Sequence, residues 1–281
     1  MSWTRSEFQI PGAGEREISL DISIPDKQDD LSVILYCHGF KGFKDWGTFN
    51  KIAEYFASAG FCFVKFNFSQ NGVSTEDLSD ITLPEVFAQN TFSMQLDEVK
   101  LVIDWLHSDQ FPEKDRINIS DLTLIGHSLG GAFALLTAAS DSRVTRLITW
   151  GTPYNILKYA DLENAEIWRE RGYTEVQNGR TKQIYQLPYS FRTDIVNNLS
   201  RFSIQHQLEK LDKPYLVIHG AEDEVVPLHH AERLAREVEH AILVTIPNTG
   251  HTFDGAHPWT EDELPEPLAE VVEECAEFIW M

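Results

Sequence analysis

The segment Gly126-His127-Ser128-Leu129-Gly130 is the strongest indication of the fold of this chain. It follows a short apolar run at residues 122–125, which is typical of a buried strand, and a segment rich in Ala and Leu with the character of a helix follows it. At such a strand-to-helix turn the serine occupies a strained position, and the glycines are needed because bulky neighbours would collide. The stretch therefore predicts an exposed, nucleophilic Ser128 above the end of a parallel strand.

Strand and helix patterns alternate on both sides of this stretch. Apolar runs predict buried strands at residues 32–37, 61–68, 122–125, 144–150, 215–219 and 241–246. Apolar residues at helical spacing predict helices at 49–59, 92–106, directly after Ser128, at 228–238 and from about 261 to the end. Alternation over residues 15–24 predicts a half-exposed strand at an antiparallel edge. The fold class is thus predicted to be α/β, with a mostly parallel central sheet and helices on both faces.

The alternation breaks between about residues 152 and 211, where the sequence is polar and aromatic. This segment is too long to be a simple connection within a compact domain. We therefore predict that residues 152–211 are a lid or cap insertion and that residues 1–151 and 212–281 form one core domain. Trp168 and Tyr189 are candidate substrate-binding residues of this insertion, and packing against the domain beneath is the alternative role.

Two further residues complete a candidate catalytic set with Ser128. Asp223 lies in the loop after the predicted strand 215–219, and His251 lies in the loop after Ala241–Ile246. The order serine, acid, histidine is the one expected downstream of a nucleophile at such a turn. A serine hydroxyl becomes a good nucleophile when an imidazole takes its proton, and a carboxylate must hold that imidazole in one tautomer.

Neighbouring residues offer alternatives for two of these roles. Glu222 and Glu224 flank Asp223 in an acidic loop, where either could be a solvated charge or the acid itself. His257 is the alternative to His251, but it lies farther beyond its strand. Position favours Asp223 as the acid and His251 as the base.

A fourth element follows the first central strand, where His38-Gly39-Phe40 begins the next loop. The backbone N–H of Phe40 could join that of Leu129 to bind a developing oxyanion. His38 is interpreted as a structural support of this loop.

These segments together resemble the α/β-hydrolase superfamily over nearly the whole chain. The residues that carry the resemblance are GHSLGG at 126–131, HGF at 38–40, HGAEDEVVP at 219–227 and TGHTF at 249–253. Within the superfamily, the chain looks like single-domain acyl esterases of the feruloyl (cinnamoyl) type and like the catalytic domains of acylaminoacyl peptidases. The resemblance implies an oxyanion pair from Phe40 and Leu129, a lid formed by the insertion, and no cofactor.

The leading functional hypothesis is hydrolysis of a carboxylic ester through an acyl-enzyme on Ser128. Thioesterase, amidase or peptidase and C–C hydrolase chemistry use the same three residues and stay open as alternatives. A non-catalytic binding protein on this fold is a further alternative from another class.

Composition limits the partners of the chain. The 281 residues carry a net charge of −21, which disfavours nucleic acid, because its binding requires a basic face. No apolar run is long enough for a membrane span, and the N-terminus has no apolar signal core, so a cytoplasmic location is expected. The three cysteines show no metal-ligand spacing, and we predict no metal site. The expected partner is a small-molecule ester, and the oligomeric state stays open.

Overall fold

The computed structural model describes residues 2–74, 76–78 and 80–281. Its strands are β1 (Trp3–Pro11), β2 (Glu17–Pro25), β3 (Leu31–Cys37), β4 (Cys62–Phe66), β5 (Ile117–His127), β6 (Val144–Trp150), β7 (Tyr173–Gln177), β8 (Ile184–Pro188), β9 (Tyr215–Gly220) and β10 (Ala241–Ile246). Its α-helices are α1 (Phe49–Ser58), α2 (Pro84–Phe87), α3 (Phe92–Leu106), α4 (Leu129–Ala138), α5 (Ala165–Arg171), α6 (Tyr189–Asn197), α7 (Leu199–Phe202), α8 (Ile204–Leu208), α9 (His229–Arg236) and α10 (Glu266–Trp280). Short 3₁₀ helices span Lys114–Arg116 and Leu157–Asp161.

Eight strands form the main sheet in the order β1-β2-β4-β3-β5-β6-β9-β10. The six strands from β4 to β10 in this order run parallel, whereas β2 is antiparallel to both β1 and β4. Parallel neighbours require crossover connections, most of which contain helices. The carboxyl ends of β3, β5, β9 and β10 consequently lie at one edge of the sheet, so the loops that follow them can meet there.

Separate hydrophobic clusters cover the two faces of the sheet. In β3, Val33 and Leu35 belong to the cluster that contains α3, α4 and the insertion, while Ile34 and Tyr36 belong to the cluster that contains α1 and α10. This division explains the continuous apolar run of β3, because a strand covered on both faces needs apolar residues at every position. None of the described helices is long and apolar enough to cross a membrane.

The predicted α/β architecture is confirmed, and β6 and β10 have the predicted bounds. The structure adds β1 at the sheet edge, which the sequence analysis missed. Ile10 is the one buried residue of this strand and the others are half-exposed or exposed, so β1 lacks the apolar alternation that marks a strand in sequence.

Residues between β6 and β9 contribute no strand to the main sheet. Instead they form α5, an antiparallel hairpin of β7 and β8, and the helices α6 to α8, so the segment is more regular than its sequence suggested. Phe191 and Phe202 from this segment pack edge-on against Phe92 of α3. The division into core and insertion, and the role of residues 152–211 as a lid, stay predictions.

Candidate active site

Ser128 lies on a sharp turn between β5 and α4. Its backbone has φ 56° and ψ −124°, a conformation that non-glycine residues rarely adopt. The Ser128 N–H donates a hydrogen bond of 2.8 Å to the carbonyl of Trp150 in the neighbouring strand β6, which holds the turn in place. A Cβ on Gly126 would lie 2.4 Å from the carbonyl oxygen of Gly130, so glycine is required where the strand and helix meet this closely.

The structure brings Ser128, His251 and Asp223 into one hydrogen-bonded chain. Ser128 Oγ lies 3.0 Å from His251 Nε2, and His251 Nδ1 lies 2.7 Å from Asp223 Oδ2. With Nδ1–H donating to the carboxylate, Nε2 is the nitrogen left to accept the serine proton. The flanking Glu222 and Glu224 are exposed, so neither takes the place of Asp223.

Asp223 is held in place on both carboxylate oxygens. Its Oδ1 accepts hydrogen bonds from the N–H groups of Val225 and Val226 at 2.9 and 2.8 Å, while Oδ2 faces His251. Burial alone would raise the pKa of Asp223, but the hydrogen bond and charge of His251 and the Val226 N–H outweigh it and lower the pKa below its ordinary value. The carboxylate therefore stays ionised beside the imidazole at neutral pH.

His219 and His127 are site residues that the sequence analysis did not assign. His219 donates from Nε2 to the carbonyl of Val226 at 2.7 Å, and the same nitrogen lies 3.3 Å from Asp223 Oδ2. His127 donates from Nε2 to the backbone carbonyl of His251 at 2.8 Å. Burial, followed by the nearby imidazole of His251, lowers the pKa of His127 to about 3, so this ring is a neutral donor that fixes the loop of the candidate base.

The loop after β3 lies directly against Ser128. A Cβ on Gly39 would be 3.0 Å from the Cβ of Ser128, a tight contact, so glycine favours this close approach. Within the described residues, the Phe40 N–H has no intramolecular acceptor, and Leu129 is the first residue of α4, whose N–H has no partner inside the helix. Phe40 and Leu129 thus offer two backbone donors in the segments next to Ser128, and their role as an oxyanion site stays a prediction.

His38 supports this loop from within the core. It is buried, and its Nδ1 donates to the Gly39 carbonyl at 3.0 Å. Burial lowers the pKa of His38 to about 4, since no charged partner compensates for the lost solvation.

Ser128 and His251 open into a cavity of about 330 Å³. Aromatic side chains form much of its wall, namely Phe40, Phe43, Trp46 and Phe49. The turn between β7 and β8 also contributes to the wall, where residues 178–180 line the cavity. The dipeptide Asn178-Gly179 between two alternating runs is a hairpin signal that could have revealed this turn in sequence.

The structure does not bring the other named candidates to this cavity. Trp168 is fully buried inside the insertion, where its Nε1 donates to the Leu187 carbonyl at 3.1 Å, and Tyr189 lies beside it. Both residues thus pack within the protein, which is the alternative role named for them, and neither lines the cavity.

His257, the alternative base, accepts a hydrogen bond on Nδ1 from the Gly47 N–H at 2.7 Å, away from Ser128. In the described part of the chain, no group of three His, Cys, Asp or Glu residues is arranged to hold a metal ion.

A serine at a strand-to-helix turn, bonded through an imidazole to a carboxylate from later loops of a parallel sheet, defines the class of α/β hydrolases. The chain belongs to this family, because the sequence model described as "alpha/beta hydrolase fold" matches residues 32–191. A second model, described as "TAP-like protein", matches residues 197–258. The protein is therefore a hydrolase of the α/β-hydrolase family.

Individual relatives are more distant. Serine hydrolase BPHL from Mus musculus is 25% identical over 152 residues, which are 49% of this chain and 50% of that protein. The 2-hydroxymuconate semialdehyde hydrolase from Pseudomonas putida is 27% identical over 187 residues, 57% of this chain and 63% of that protein. The chain spans about half the length of the first of these curated relatives. Among solved structures, Est1E from Butyrivibrio proteoclasticus has a TM-score of 0.72 at 19% identity, with 98% of this chain and 97% of that chain covered, which shows a common fold.

Proposed function

We propose that this hydrolase cleaves a carboxylic ester of a small molecule through an acyl-enzyme on Ser128. The observation that carries the proposal is the hydrogen-bonded chain of Ser128 Oγ, His251 and Asp223, with distances of 3.0 and 2.7 Å, at the base of a cavity. A non-catalytic binding protein would not need an imidazole fixed on both ring nitrogens beside a serine hydroxyl that faces a cavity.

The reaction follows from these positions. Ser128 Oγ attacks the ester carbonyl as His251 Nε2 takes the hydroxyl proton, and the N–H groups of Phe40 and Leu129 bind the oxyanion that forms. The C–O bond to the alcohol then breaks, and His251 returns its proton to the leaving oxygen. Water, deprotonated by His251, attacks the acyl-enzyme in the second half and releases the acid. Asp223 stays ionised and stabilises the imidazolium in both halves.

The aromatic wall supports a substrate with an apolar part, and the cavity volume of about 330 Å³ limits its size. In this proposal, residues 152–211 act as a lid that partly excludes water from the cavity, which strengthens the electrostatic interactions within it. No metal ion or organic cofactor takes part in the proposed reaction.

The experiment that tests the proposal combines active-site labelling with a substrate panel. A fluorophosphonate probe should label the protein, and peptide mapping should place the adduct on Ser128. Turnover of 4-nitrophenyl esters should exceed turnover of the matched thioesters and anilides. Failure to label would contradict the serine mechanism, whereas labelling with faster thioester or anilide cleavage would contradict only the ester assignment.

A further inference from the structure

The cavity beside Ser128 has a basic rim in a strongly acidic protein. Lys41 and Arg180 both line it, and none of the described residues that line it is an aspartate or a glutamate. The whole chain has 44 acidic residues against 23 lysines and arginines. A local excess of positive charge at this one cavity is thus opposite in sign to the charge of the protein.

Of the two cations, Lys41 is the one whose positive charge has no ion-pair partner among the described residues. Its Nζ donates to the backbone carbonyl of Gln177 at 2.8 Å, and it forms no ion pair with any carboxylate in the described part of the chain. Lys44, three positions further on, is by contrast ion-paired with both Asp21 and Asp45. Partial burial lowers the pKa of Lys41 without a neighbouring carboxylate to oppose it. A partly desolvated ammonium with unused donors would gain most from an anion that enters the cavity.

Lys41 links two segments that line the cavity. Its backbone has a φ of 61°, in the left-handed region that non-glycine residues rarely adopt. The bond to Gln177 joins this loop to the hairpin of β7 and β8.

Arg180 lies at the tip of the same hairpin and also lines the cavity. Its Nη2 lies 2.8 Å from Asp80 Oδ2, an ion pair that fixes the tip. Asp80 pairs with Arg180 only, and no carboxylate is paired with Lys41 in the described part of the chain, so the rim keeps a net positive charge.

We propose that Lys41, assisted by Arg180, binds a carboxylate that the substrate carries at a distance from its scissile carbonyl. This inference rests on the proposed function and names its substrate class, namely esters with a remote carboxylate such as monoesters of dicarboxylic acids. The apolar part of such a substrate would lie against Phe40 and Trp46, and its charged end would reach the rim. A charge-assisted hydrogen bond in a partly desolvated site favours the anionic substrate over a neutral one of the same shape.

The test uses pairs of esters that differ only in this charge. On the acyl side, the 4-nitrophenyl monoester of adipic acid is compared with its methyl-capped diester, and release of nitrophenol is followed. On the alcohol side, the acetyl ester of 4-hydroxyphenylacetic acid is compared with that of its methyl amide. The measured quantity is the kcat/KM for the anionic ester divided by the kcat/KM for the neutral ester. In at least one pair this ratio should be about ten or more, which corresponds to about 1.4 kcal/mol.

Variants assign the preference to the rim. Lys41→Gln should lower this ratio about tenfold, and Arg180→Gln should lower it less because Asp80 already offsets part of its charge. Lys182→Gln is the matched control: it removes one positive charge from the same hairpin, but Lys182 donates to the Gly179 carbonyl and does not line the cavity. A ratio that is unchanged in Lys41→Gln, or equally lowered in Lys182→Gln, would overturn the inference. Lys41→Met replaces Lys41→Gln if the latter does not fold.

A binding measurement separates this inference from the proposed function. In Ser128→Ala, calorimetry should detect binding of monomethyl adipate and weaker binding of the neutral dimethyl ester, with the difference lost when Lys41→Gln is added. If no ester is hydrolysed but this difference is found, ester cleavage fails and the carboxylate site stands. If esters are hydrolysed with equal binding of both compounds, the carboxylate site fails alone.

Discussion

The three residues of the hydrogen-bonded chain make unequal contributions to the proposed reaction. Ser128→Ala removes the nucleophile and His251→Ala removes the base, so each should lower kcat by about a thousandfold or more. Asp223→Asn keeps a side chain of the same shape and should leave more activity, since Asp223 orients the imidazole without exchanging protons. Steady-state kinetics with a 4-nitrophenyl ester check this order, and Ser128→Ala with more than about a thousandth of the activity would exclude Ser128 as nucleophile.

His127 acts on the reaction through the backbone of His251. Its ring is neutral at working pH, and its Nε2–H holds the carbonyl of His251 at 2.8 Å. His127→Gln keeps an amide donor near this position and should retain most of kcat, whereas His127→Leu should lower kcat about tenfold with a smaller change in KM. Kinetics of the two variants at equal melting temperature provide the measurement. Equal activity in both would show that the hydrogen bond is unimportant.

The candidate triad could be predicted from sequence because each residue directly follows a recognisable strand. Ser128, Asp223 and His251 lie in loops after β5, β9 and β10, and parallel strands bring such loops to one edge. His127 and His219 could not be assigned in this way. Their partners are backbone carbonyls of distant loops, at His251 and Val226, and side-chain pattern carries no information about them.

At the scale of elements, the sequence predicted every strand of the main sheet except β1 and missed the separate hairpin of β7 and β8. The hairpin of β7 and β8 is flanked by short helices, and its inward residues Tyr185 and Leu187 alternate with exposed ones over only a few positions. Such a short amphipathic strand resembles a loop in composition. The consequence is functional, because the tip of this hairpin lines the cavity and the predicted aromatics do not.

Trp168 fixes this hairpin from below. It is fully buried, packs on Phe191 and donates to the Leu187 carbonyl of β8. Trp168→Ala should therefore lower the free energy of unfolding by about 3–5 kcal/mol, the usual cost of removing a buried aromatic side chain. Chemical denaturation measures this loss. Leu199→Ala is the control in the same segment, because Leu199 is 48% exposed and its loss should cost about 0.5 kcal/mol or less. Equal costs would contradict the assigned burial.

For the whole molecule, buried histidines make stability depend on pH. The rings of His38 and His127 have pKa values lowered from 6.5 to about 4 and about 3. Below pH 6.5 the unfolded chain therefore binds protons at these rings while the folded chain does not. The free energy of unfolding should fall as the pH decreases from 6.5 towards 4, by up to about 1.4 kcal/mol per pH unit for each ring.

A variant of His38 measures how much this one ring contributes to the pH dependence of the free energy of unfolding. His38→Asn keeps a donor for the Gly39 carbonyl but cannot be protonated, so the slope between pH 6.5 and 4.5 should decrease by up to about 1.4 kcal/mol per pH unit. Carboxylates with lowered pKa, such as Asp223, act at lower pH and leave this window largely unaffected. His240→Asn, at an exposed position, should leave the slope as it is. Identical slopes in the native protein and His38→Asn would refute the buried neutral ring.

Ser128 and His251 are 123 residues apart in the chain, and their contact forms only when β9 and β10 have joined the sheet beyond β6. Contacts between such remote segments are late events in folding, because the intervening chain must first be ordered. During refolding from denaturant, reactivity of the serine with a fluorophosphonate should therefore return after the helical circular dichroism signal. The labelling of Ser128 would then report when the last stage of folding is complete.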